Sequence, residues 1–395
     1  MKKANKNILL VTSRNIYENS GESSLVNRRS LAVFNVKNKK TDVIGIVRNS
    51  SNRRIEYLKK YNCYENLKII KYEGINFINK IFIFRKNLKQ YLRNKKPENI
   101  VISGNIYAFF YIDILKKYKK QNNVKYFYDI HGCIEELEEY VFKNKIIGKI
   151  IVNLFSKIEK NIIKMCECIY IVSNSMKDYI ENKYGIKNKE YVFIPCGIDN
   201  KKYDRVYYRE KLRKELNIKP DEKVCIYSGG TSKWQMLNES IDYYNNNLKQ
   251  LGYKLVIFSK DKLKIEKILE TKQILKSDII IKSIDINKLV YYLSIGDVGI
   301  MYREKNLTNK VAFPNKFSEY LKGGLLILST QNIEEQKNII LDNEIGIFIE
   351  NNNGIFIDKL VKKRLENLKE YYTRCDNVID NYLDYDKNVL KIKFI

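Results

Sequence analysis

The sequence predicts an α/β protein of two domains, each with a parallel β-sheet covered by helices. The chain has 395 residues, which is more than one ordinary hydrophobic core holds and suits two domains of about 200 residues each. Hydrophobic residues make up 44% of the chain and aromatic residues 12%, as in globular proteins. Short segments rich in Val and Ile alternate with amphipathic segments of helical length, which is the pattern of βαβ units.

The first half of the chain contains seven candidate strands that are short and nearly continuous in apolar residues. Strands of this kind are buried on both faces, as in a parallel sheet with helices on either side. They are residues 8–12, 43–47, 67–71, 100–103, 126–130, 169–172 and 192–194. The chain begins with basic and then apolar residues, but no small-residue cleavage site follows Val11, so we expect a first strand and not a signal peptide.

The second half repeats the pattern and predicts a second parallel sheet. Its candidate strands are residues 224–227, 255–258, 279–281, 298–301 and 326–329. We expect no transmembrane helix, because no window of the sequence holds 18 uninterrupted apolar residues. The 7 cysteines lack paired spacing, which favours a reducing compartment and argues against a zinc site.

The net charge of +27 is concentrated in the first part of the chain. Residues 1–100 contain 23 Lys or Arg and 7 Asp or Glu, whereas residues 201–395 contain 35 and 27. Heavy use of Ile, Asn, Lys and Tyr is typical of an AT-rich genome, so part of the lysine excess can be compositional. The uneven distribution favours an anionic partner, either phospholipid headgroups, a lipid-linked phosphate or nucleic acid.

Residues 313–328, F-P-N-K-F-S-E-Y-L-K-G-G-L-L-I-L, carry the strongest functional pattern of the sequence. They lie between two candidate strands and predict a helix that a proline enters and a Gly-Gly pair ends. Lys316 and the amides at the helix start can bind an anion, and Glu319 lies about one turn further on. A cation for phosphate and a carboxylate for sugar hydroxyls indicate a nucleotide-binding site.

A second candidate anion site is the segment S-G-G-T-S-K-W-Q at residues 228–235, between a strand and a helix. Gly229 and Gly230 permit a tight turn, and Lys233 can neutralise a diphosphate. The alternative is a glycine turn with a solvated lysine. Trp234 is more typical of packing than of base stacking.

His131 is the only histidine of the chain, and it follows the candidate strand 126–130 in Y-F-Y-D-I-H-G-C. The carboxyl ends of strands are where α/β sheets present ligands, which favours a functional role. The alternative is a loop histidine that merely bonds Asp129.

The segment 313–328 resembles the donor-binding motif of GT-B glycosyltransferases, in particular retaining glycosyltransferase family 4. The segments I-P-C-G-I-D at 194–199 and D-I-H-G at 129–132 are also similar to segments of that family. The resemblance implies two Rossmann-like domains that face an interdomain cleft. It places an acceptor-side and membrane-side domain at residues 1–197 and a donor-binding domain at 198–375, with the tail 376–395 crossing back onto the first domain.

The resemblance also assigns site residues. His131 would lie beside the transferred sugar as the candidate catalytic residue, and Glu319 would bind the ribose. The candidate donor-binding residues are Gly21, Gly229, Gly230, Lys233, Asn315, Lys316 and Glu319. For Gly21, in the loop after the first strand, a plain turn is equally compatible. The family's second Glu, eight positions before the ribose Glu, is replaced by Val311.

The function that the resemblance implies is a hexosyltransferase that acts with retention. It would move a sugar from a nucleotide diphosphate sugar, a UDP-sugar, to a hydroxyl of a membrane-linked glycan or lipid in bacterial cell-surface polysaccharide synthesis. We expect no cofactor and no metal, because the core lacks an Asp-x-Asp signature. The alternatives are a non-enzymatic binder of an anionic polymer and a GT-B sugar-nucleotide epimerase. Motifs of nucleic-acid-binding domains are absent from the sequence, so we expect no nucleic-acid partner.

Residues 75–93 combine bulky apolar side chains with Lys80, Arg85, Lys86 and Lys89. A helix packing its apolar stripe on the sheet explains this pattern, and so does a helix whose basic, aromatic flank rests on a membrane. With the charge excess of residues 1–100, the second explanation predicts a cytoplasmic protein bound peripherally to the inner face of the cell membrane, with the anionic membrane surface as a partner.

Overall fold

The structure is a computed structural model that describes residues 8–17, 21–48, 62–73, 76–104, 107–274, 279–351 and 353–392. The chain divides into two units, which are Met1–Pro195 together with Tyr385–Ile395, and Cys196–Asp384. Residues 376–384, which we predicted to belong to the returning tail, are therefore part of the second unit. The physical reason is local, since Asp376 accepts a hydrogen bond from Arg205 Nη2 at 2.5 Å and Asp380 accepts one from Asn200.

The first unit contains seven strands in its described residues. The strands are β1 (Ile8–Thr12), β2 (Thr41–Arg48), β3 (Tyr64–Tyr72), β4 (Asn99–Ser103), β5 (Lys125–Asp129), β6 (Cys168–Ile171) and β7 (Glu190–Phe193). The helices are α1 (Gly21–Lys37), α2 (Phe77–Lys95), α3 (Ile112–Gln121), α4 (Lys145–Met165) and α5 (Asn174–Tyr184), with short helical turns at Ala108–Phe110 and Leu137–Val141.

All strand pairs of this sheet are parallel, in the order β3-β2-β1-β4-β5-β6-β7. In the register, Leu10 of β1 lies opposite Val43 of β2 on one side and opposite Val101 of β4 on the other. The order reverses between β1 and β4, which is the switch point of a doubly wound fold.

The second unit contains six strands and nine α-helices in its described residues, together with shorter helical turns. The strands are β8 (Lys223–Ser228), β9 (Tyr253–Phe258), β10 (Ile279–Lys282), β11 (Val298–Met301), β12 (Leu326–Ser329) and β13 (Gly346–Phe348). The helices are α6 (Arg205–Glu215), α7 (Leu237–Tyr243), α8 (Lys262–Thr271), α9 (Ile286–Leu293), α10 (Leu307–Val311), α11 (Asn315–Gly323), α12 (Glu334–Asn343), α13 (Gly354–Glu366) and α14 (Leu368–Val378). The last helix, α15 (Tyr385–Leu390), belongs to the first unit, where it packs on α1.

The second sheet is also parallel, in the order β10-β9-β8-β11-β12-β13, and its order reverses between β8 and β11. Two parallel sheets with helical connections confirm the predicted Rossmann-like fold class. Each predicted strand overlaps an observed one. The additional strand β13 has only three residues and pairs with β12, so its apolar run is too short to stand out in the sequence.

A buried carboxylate joins the amino ends of the two central strands of the second unit. Asp297, just before β11, accepts a hydrogen bond from Val224 N of β8 at 2.8 Å. Its carboxylate also pairs with Arg209 at 2.6 Å, Arg213 at 3.2 Å and Arg364 at 3.4 Å. The guanidinium groups in turn donate to backbone carbonyls just before β11 and β12, which ties the cluster to both strands.

No described helix has both the length and the hydropathy needed to cross a membrane. The seven cysteines all lie in described residues, where each is buried and none forms a disulfide.

We predict that Asp297→Ala lowers the free energy of unfolding by about 3–5 kcal/mol, because it leaves three guanidinium groups without their common counter-charge. The control is Asp242→Ala in the same unit, since the Asp242 carboxylate pairs with Lys272 while it is 53% exposed. That change should cost less than about 1 kcal/mol. Urea unfolding followed by circular dichroism measures both, and equal losses would contradict the central role of Asp297.

Candidate functional site

The carboxyl ends of β8 and β11 lie side by side where the strand order of the second unit reverses. Open α/β sheets bind ligands at this position. The turn after β8 carries Gly229 and Gly230, and helix α11, which connects the region after β11 to β12, carries Lys316 and Glu319. The structure thus brings together four residues that the sequence predicted from two separate segments.

Lys316 is the centre of this site. Its ammonium lies 3.9 Å from the centroid of the Tyr227 ring, a cation–π contact, and the residue is only 7% exposed. Burial, and then the positive charge of Arg303, lower the pKa of Lys316 well below its ordinary value, while Glu319 opposes the shift. Among the described residues Lys316 has no salt bridge, so a bound anion would supply its counter-charge.

Gly229 leaves the space that the Lys316 side chain occupies. Its φ of +146° lies in a region that side-chain-bearing residues rarely adopt. A Cβ at this position would lie 2.6 Å from Lys316 Cε and 2.8 Å from Lys316 Nζ. Two hydrogen bonds hold the turn in place. The Tyr227 hydroxyl donates to Gly230 O at 2.8 Å, and Thr231 N donates to Asp261 Oδ2 at 2.9 Å.

Tyr320 fixes helix α11 against both central strands. Its hydroxyl accepts a hydrogen bond from Ser228 N at 2.9 Å and donates one to Ile300 O at 3.2 Å. Its ring occupies the space above Gly299, where a Cβ would lie 2.5 Å from a ring carbon. These contacts set the position of the first turn of α11, which begins at Asn315 and presents Lys316 and Glu319, the latter 8% exposed.

Arg303 is a second buried cation of the site, and it is not among the residues predicted from the sequence. It follows β11, is 6% exposed, and donates from Nη1 to Trp234 O at 2.6 Å. Its charge acts on Lys316, as the lowered pKa of Lys316 shows. Its place just after the strand 298–301 was a visible signal, but only the strand order shows that this strand neighbours β8.

Neither Lys233 nor Val311, two further positions considered from the sequence, adds a buried charge to the site. Lys233 lies in the short turn Lys233–Gln235 and is exposed, so it extends from the same loop without joining the buried pair of cations. Val311 ends α10 and is 1% exposed, so the position of the family's second Glu holds a buried apolar side chain.

The candidate catalytic residue His131 lies in the first unit, directly after β5, in a buried cluster with Asp129 and Arg29. His131 Nε2 is 3.0 Å from Asp129 Oδ2 and 3.2 Å from Arg29 Nη1. Arg29 forms a salt bridge with Asp129 and donates to Ile194 O as well. The contact with Asp129 is the one expected if His131 merely bonds that carboxylate. In the tautomer in which Nε2 donates to Asp129, Nδ1 is the acceptor atom of the neutral ring.

The charges of this cluster are set by burial. Burial lowers the pKa of His131 below its ordinary value of 6.5, although Asp129 opposes the shift. Burial would raise the pKa of Asp129, but Arg29 and His131 outweigh it and lower that pKa to about 2. At neutral pH the cluster therefore contains an ionised carboxylate, a neutral imidazole and a guanidinium. A neutral imidazole can position a hydroxyl group by hydrogen bonding.

Gly21 is the first residue of α1, so it begins a helix and is not part of a plain turn. Residues 18–20, which precede it in the sequence, lie outside the described residues. The structure also shows no group of three or more His, Cys, Asp or Glu within its described ranges that could hold a metal ion.

Residues 39–202 match the family described as Glycosyltransferase Family 4. The chain is also similar in fold, over nearly its whole length, to proteins of known structure. A glycosyltransferase from Rickettsia africae ESF-5 has 15% identity and a TM-score of 0.70, with 98% of this chain and 97% of that chain covered. Anabaena Alr3699/HepE in complex with UDP-glucose has 10% identity and a TM-score of 0.67, with 98% of both chains covered. The chain therefore has the GT-B fold and resembles family 4.

A curated relative of a different kind matches part of the chain. The Type II restriction enzyme MjaIII of Methanocaldococcus jannaschii is 28% identical in a match of 191 residues that covers 43% of this chain. The match spans 59% of the length of that relative. A partial match at this identity does not define an activity for the chain.

We predict that the single histidine signal in an NMR titration gives a pKa below 6.5, because burial disfavours the imidazolium. Arg29→Met should raise this pKa, since Arg29 lowers it, and Asp129→Asn should lower it further, since Asp129 raises it. The folded chain then binds fewer protons than the unfolded chain, so stability falls as the pH drops below about 6.5. Shifts in the same direction in both variants would contradict the cluster.

Proposed function

We propose that this chain, which combines a glycosyltransferase family 4 domain with the GT-B fold, transfers a sugar from a nucleoside diphosphate sugar to an acceptor hydroxyl. The observation that carries the proposal is the buried Lys316 at the switch point of the second sheet, without a salt bridge among the described residues and beside a second cation. A diphosphate is an anion that matches two cations and the amides of a helix start.

Lys316 and Arg303 would act on the diphosphate as it leaves. Cleavage of the bond between sugar and diphosphate places negative charge on the leaving group. Two buried cations stabilise this charge strongly, because water screens them little and their positions are already set by Tyr227 and Trp234. A bound diphosphate also favours the protonated form of Lys316, whose pKa is low in its absence.

The donor is proposed to be a UDP-sugar with a hexose as its sugar. A protein of the same fold has been solved with UDP-glucose, which supports this class of donor. Glu319 would accept hydrogen bonds from the ribose hydroxyls, one turn along α11 from the phosphate-binding Lys316. Asn315, Gly229 and Gly230 would line the donor site through the helix start and the turn.

His131 is proposed to position the transferred sugar through its neutral imidazole, oriented by Asp129. Family 4 resemblance also supports retention of the anomeric configuration without a dedicated carboxylate nucleophile. The acceptor is proposed to be a membrane-linked glycan or lipid of bacterial cell-surface polysaccharide synthesis, reached by a protein that lies on the inner face of the membrane. The basic first part of the chain supports this location.

We predict that Glu319→Ala and Lys316→Ala each weaken UDP binding by about 1.5–3 kcal/mol, the range for a charge-assisted hydrogen bond. Isothermal titration calorimetry measures the affinity for UDP, with GDP and ADP for comparison. Lys310→Ala and Glu334→Ala are matched controls, because these residues form an exposed salt bridge of 3.7 Å in the same unit. The controls should bind UDP like the unchanged protein, and unchanged affinity in both site variants would refute the placement of the donor site.

We also predict that transfer of radiolabelled sugar from a panel of nucleotide sugars to a bacterial lipid extract persists in excess EDTA. The reason is that Lys316, Arg303 and helix amides supply the positive charge that a metal ion would otherwise provide. Activity that is lost on chelation and restored by Mg²⁺ or Mn²⁺ would contradict this. An epimerised nucleotide sugar without acceptor labelling would favour the epimerase, and polymer binding without any turnover would favour the non-enzymatic binder.

A further inference from the structure

Helix α4 exposes a stripe of aliphatic side chains in the first unit. Ile146, Ile150 and Leu154 are 72%, 62% and 51% exposed, and their spacing of four residues places them on one face of the helix. Ile147 beside them is 47% exposed. The opposite face of α4 is buried and supplies the apolar side chains that pack on the sheet. The exposed stripe is therefore not needed for that packing.

Helix α2 shows the same arrangement near its start. Phe84 and Leu88 are buried, which meets the expectation of a helix that packs on the sheet. Ile78 and Phe82, also four residues apart, are nevertheless 65% and 68% exposed, and Ile83 is 45% exposed. The helix therefore has both a core stripe and an outward apolar stripe.

The turn Ala108–Phe110 connects these two apolar stripes. The Phe110 ring is 5.3 Å from the ring of Phe77 in α2, and the turn also packs against α4. Phe109 within the turn is 57% exposed. Right-handed crossovers place the helices that follow β3, β4 and β5 on the same face of the sheet, so α2, the turn and α4 form one surface.

The exposed charges of α2 and α4 themselves are positive, although two acidic residues lie beside these helices. Asp113 of α3 is 59% exposed and pairs with Arg85, and Glu138 contacts Gly148 of α4. Helix α2 carries six Lys or Arg and no Asp or Glu, and one of its basic residues, Arg85, is paired with Asp113. Helix α4 carries five lysines, and its single acidic residue, Glu159, is buried and accepts a hydrogen bond from the Tyr128 hydroxyl at 2.6 Å. Neither helix therefore presents an exposed carboxylate to a partner.

We propose that the surface formed by α2, the turn Ala108–Phe110 and α4 docks the first unit on a bilayer that contains anionic phospholipid. Aliphatic and aromatic side chains would enter the boundary between headgroups and acyl chains while the lysines contact lipid phosphates. A second copy of the chain would place like charges opposite each other, and nucleic acid would leave the aliphatic side chains in water. Exposed apolar groups combined with cations match an anionic membrane best.

This inference deepens the proposed function, because it names the surface that would bring the first unit to a membrane-linked acceptor. Its test does not require transfer activity. The full chain is mixed with vesicles of phosphatidylcholine, with or without phosphatidylglycerol, and the bound fraction is measured by flotation at low and high salt. Binding should require the anionic lipid and weaken with salt.

The decisive variant is the double substitution Ile146→Ser and Ile150→Ser. Its matched control is Leu263→Ser with Ile355→Ser, two aliphatic residues of the second unit that are 76% and 71% exposed. Removing the α4 pair should reduce partition onto anionic vesicles about tenfold or more, since aliphatic burial contributes to it. The control pair should bind like the unchanged protein.

A charge variant separates specific docking from the general basicity of the chain. Lys145→Gln with Lys149→Gln should weaken vesicle binding more than Lys359→Gln with Lys363→Gln, which removes two exposed lysines of α13. Equal losses in these two variants, or no binding at low salt, would overturn the proposal. So would a shift from dimer to monomer in the α4 serine variant with unchanged vesicle binding.

UDP affinity is measured on every variant as well. Unchanged UDP affinity with lost vesicle binding supports the docking surface separately from the donor site. Vesicle binding by a protein that does not bind UDP would leave the docking surface standing and refute the proposed donor site.

Discussion

The carboxylate of Asp297 holds together the two central strands of the second unit, and the geometry of the candidate donor site depends on it. It joins the amino ends of β8 and β11, while the site lies at their carboxyl ends. Burial of this charge is tolerated because three arginines and a backbone amide surround it. Since burial and the neighbouring Arg209 lower the pKa of Arg213 to about 10, the cluster is costly to assemble and would be lost if its carboxylate were removed.

The opposite end of the same strands also buries cations. Lys316 and Arg303 are both buried there. Within the described residues, Lys316 forms no salt bridge with a carboxylate. The Tyr227 ring offsets part of the cost for Lys316, and the Tyr320 hydroxyl fixes α11 on the sheet. The side chains of Lys316 and Arg303 are held in place at this end, and a bound anion would favour the protonated form of Lys316. The proposed site would thereby stabilise the negative charge of a leaving diphosphate.

The first unit uses its charges differently. The cluster of Arg29, Asp129 and His131 is internally compensated, so its imidazole is neutral and suited to positioning rather than to charge stabilisation. On its surface, α2 and α4 leave lysines and aliphatic side chains without exposed carboxylates. This division of charge supports the proposed donor site in the second unit and the proposed docking surface in the first.

The sequence by itself determined the fold class, the residues of α11 and every described strand except the three-residue β13, because these depend on local apolar runs and on spacing within one helix. Lys316 and Glu319 are three positions apart on α11, so their proximity was readable from the sequence. Only the tertiary structure showed the roles of Arg303, Tyr227 and Asp297. Their neighbours depend on the strand order, which pairs segments far apart in the chain. The exposed stripe of α4 was likewise decided by tertiary structure. An apolar stripe in the sequence does not show which side of a helix the sheet covers.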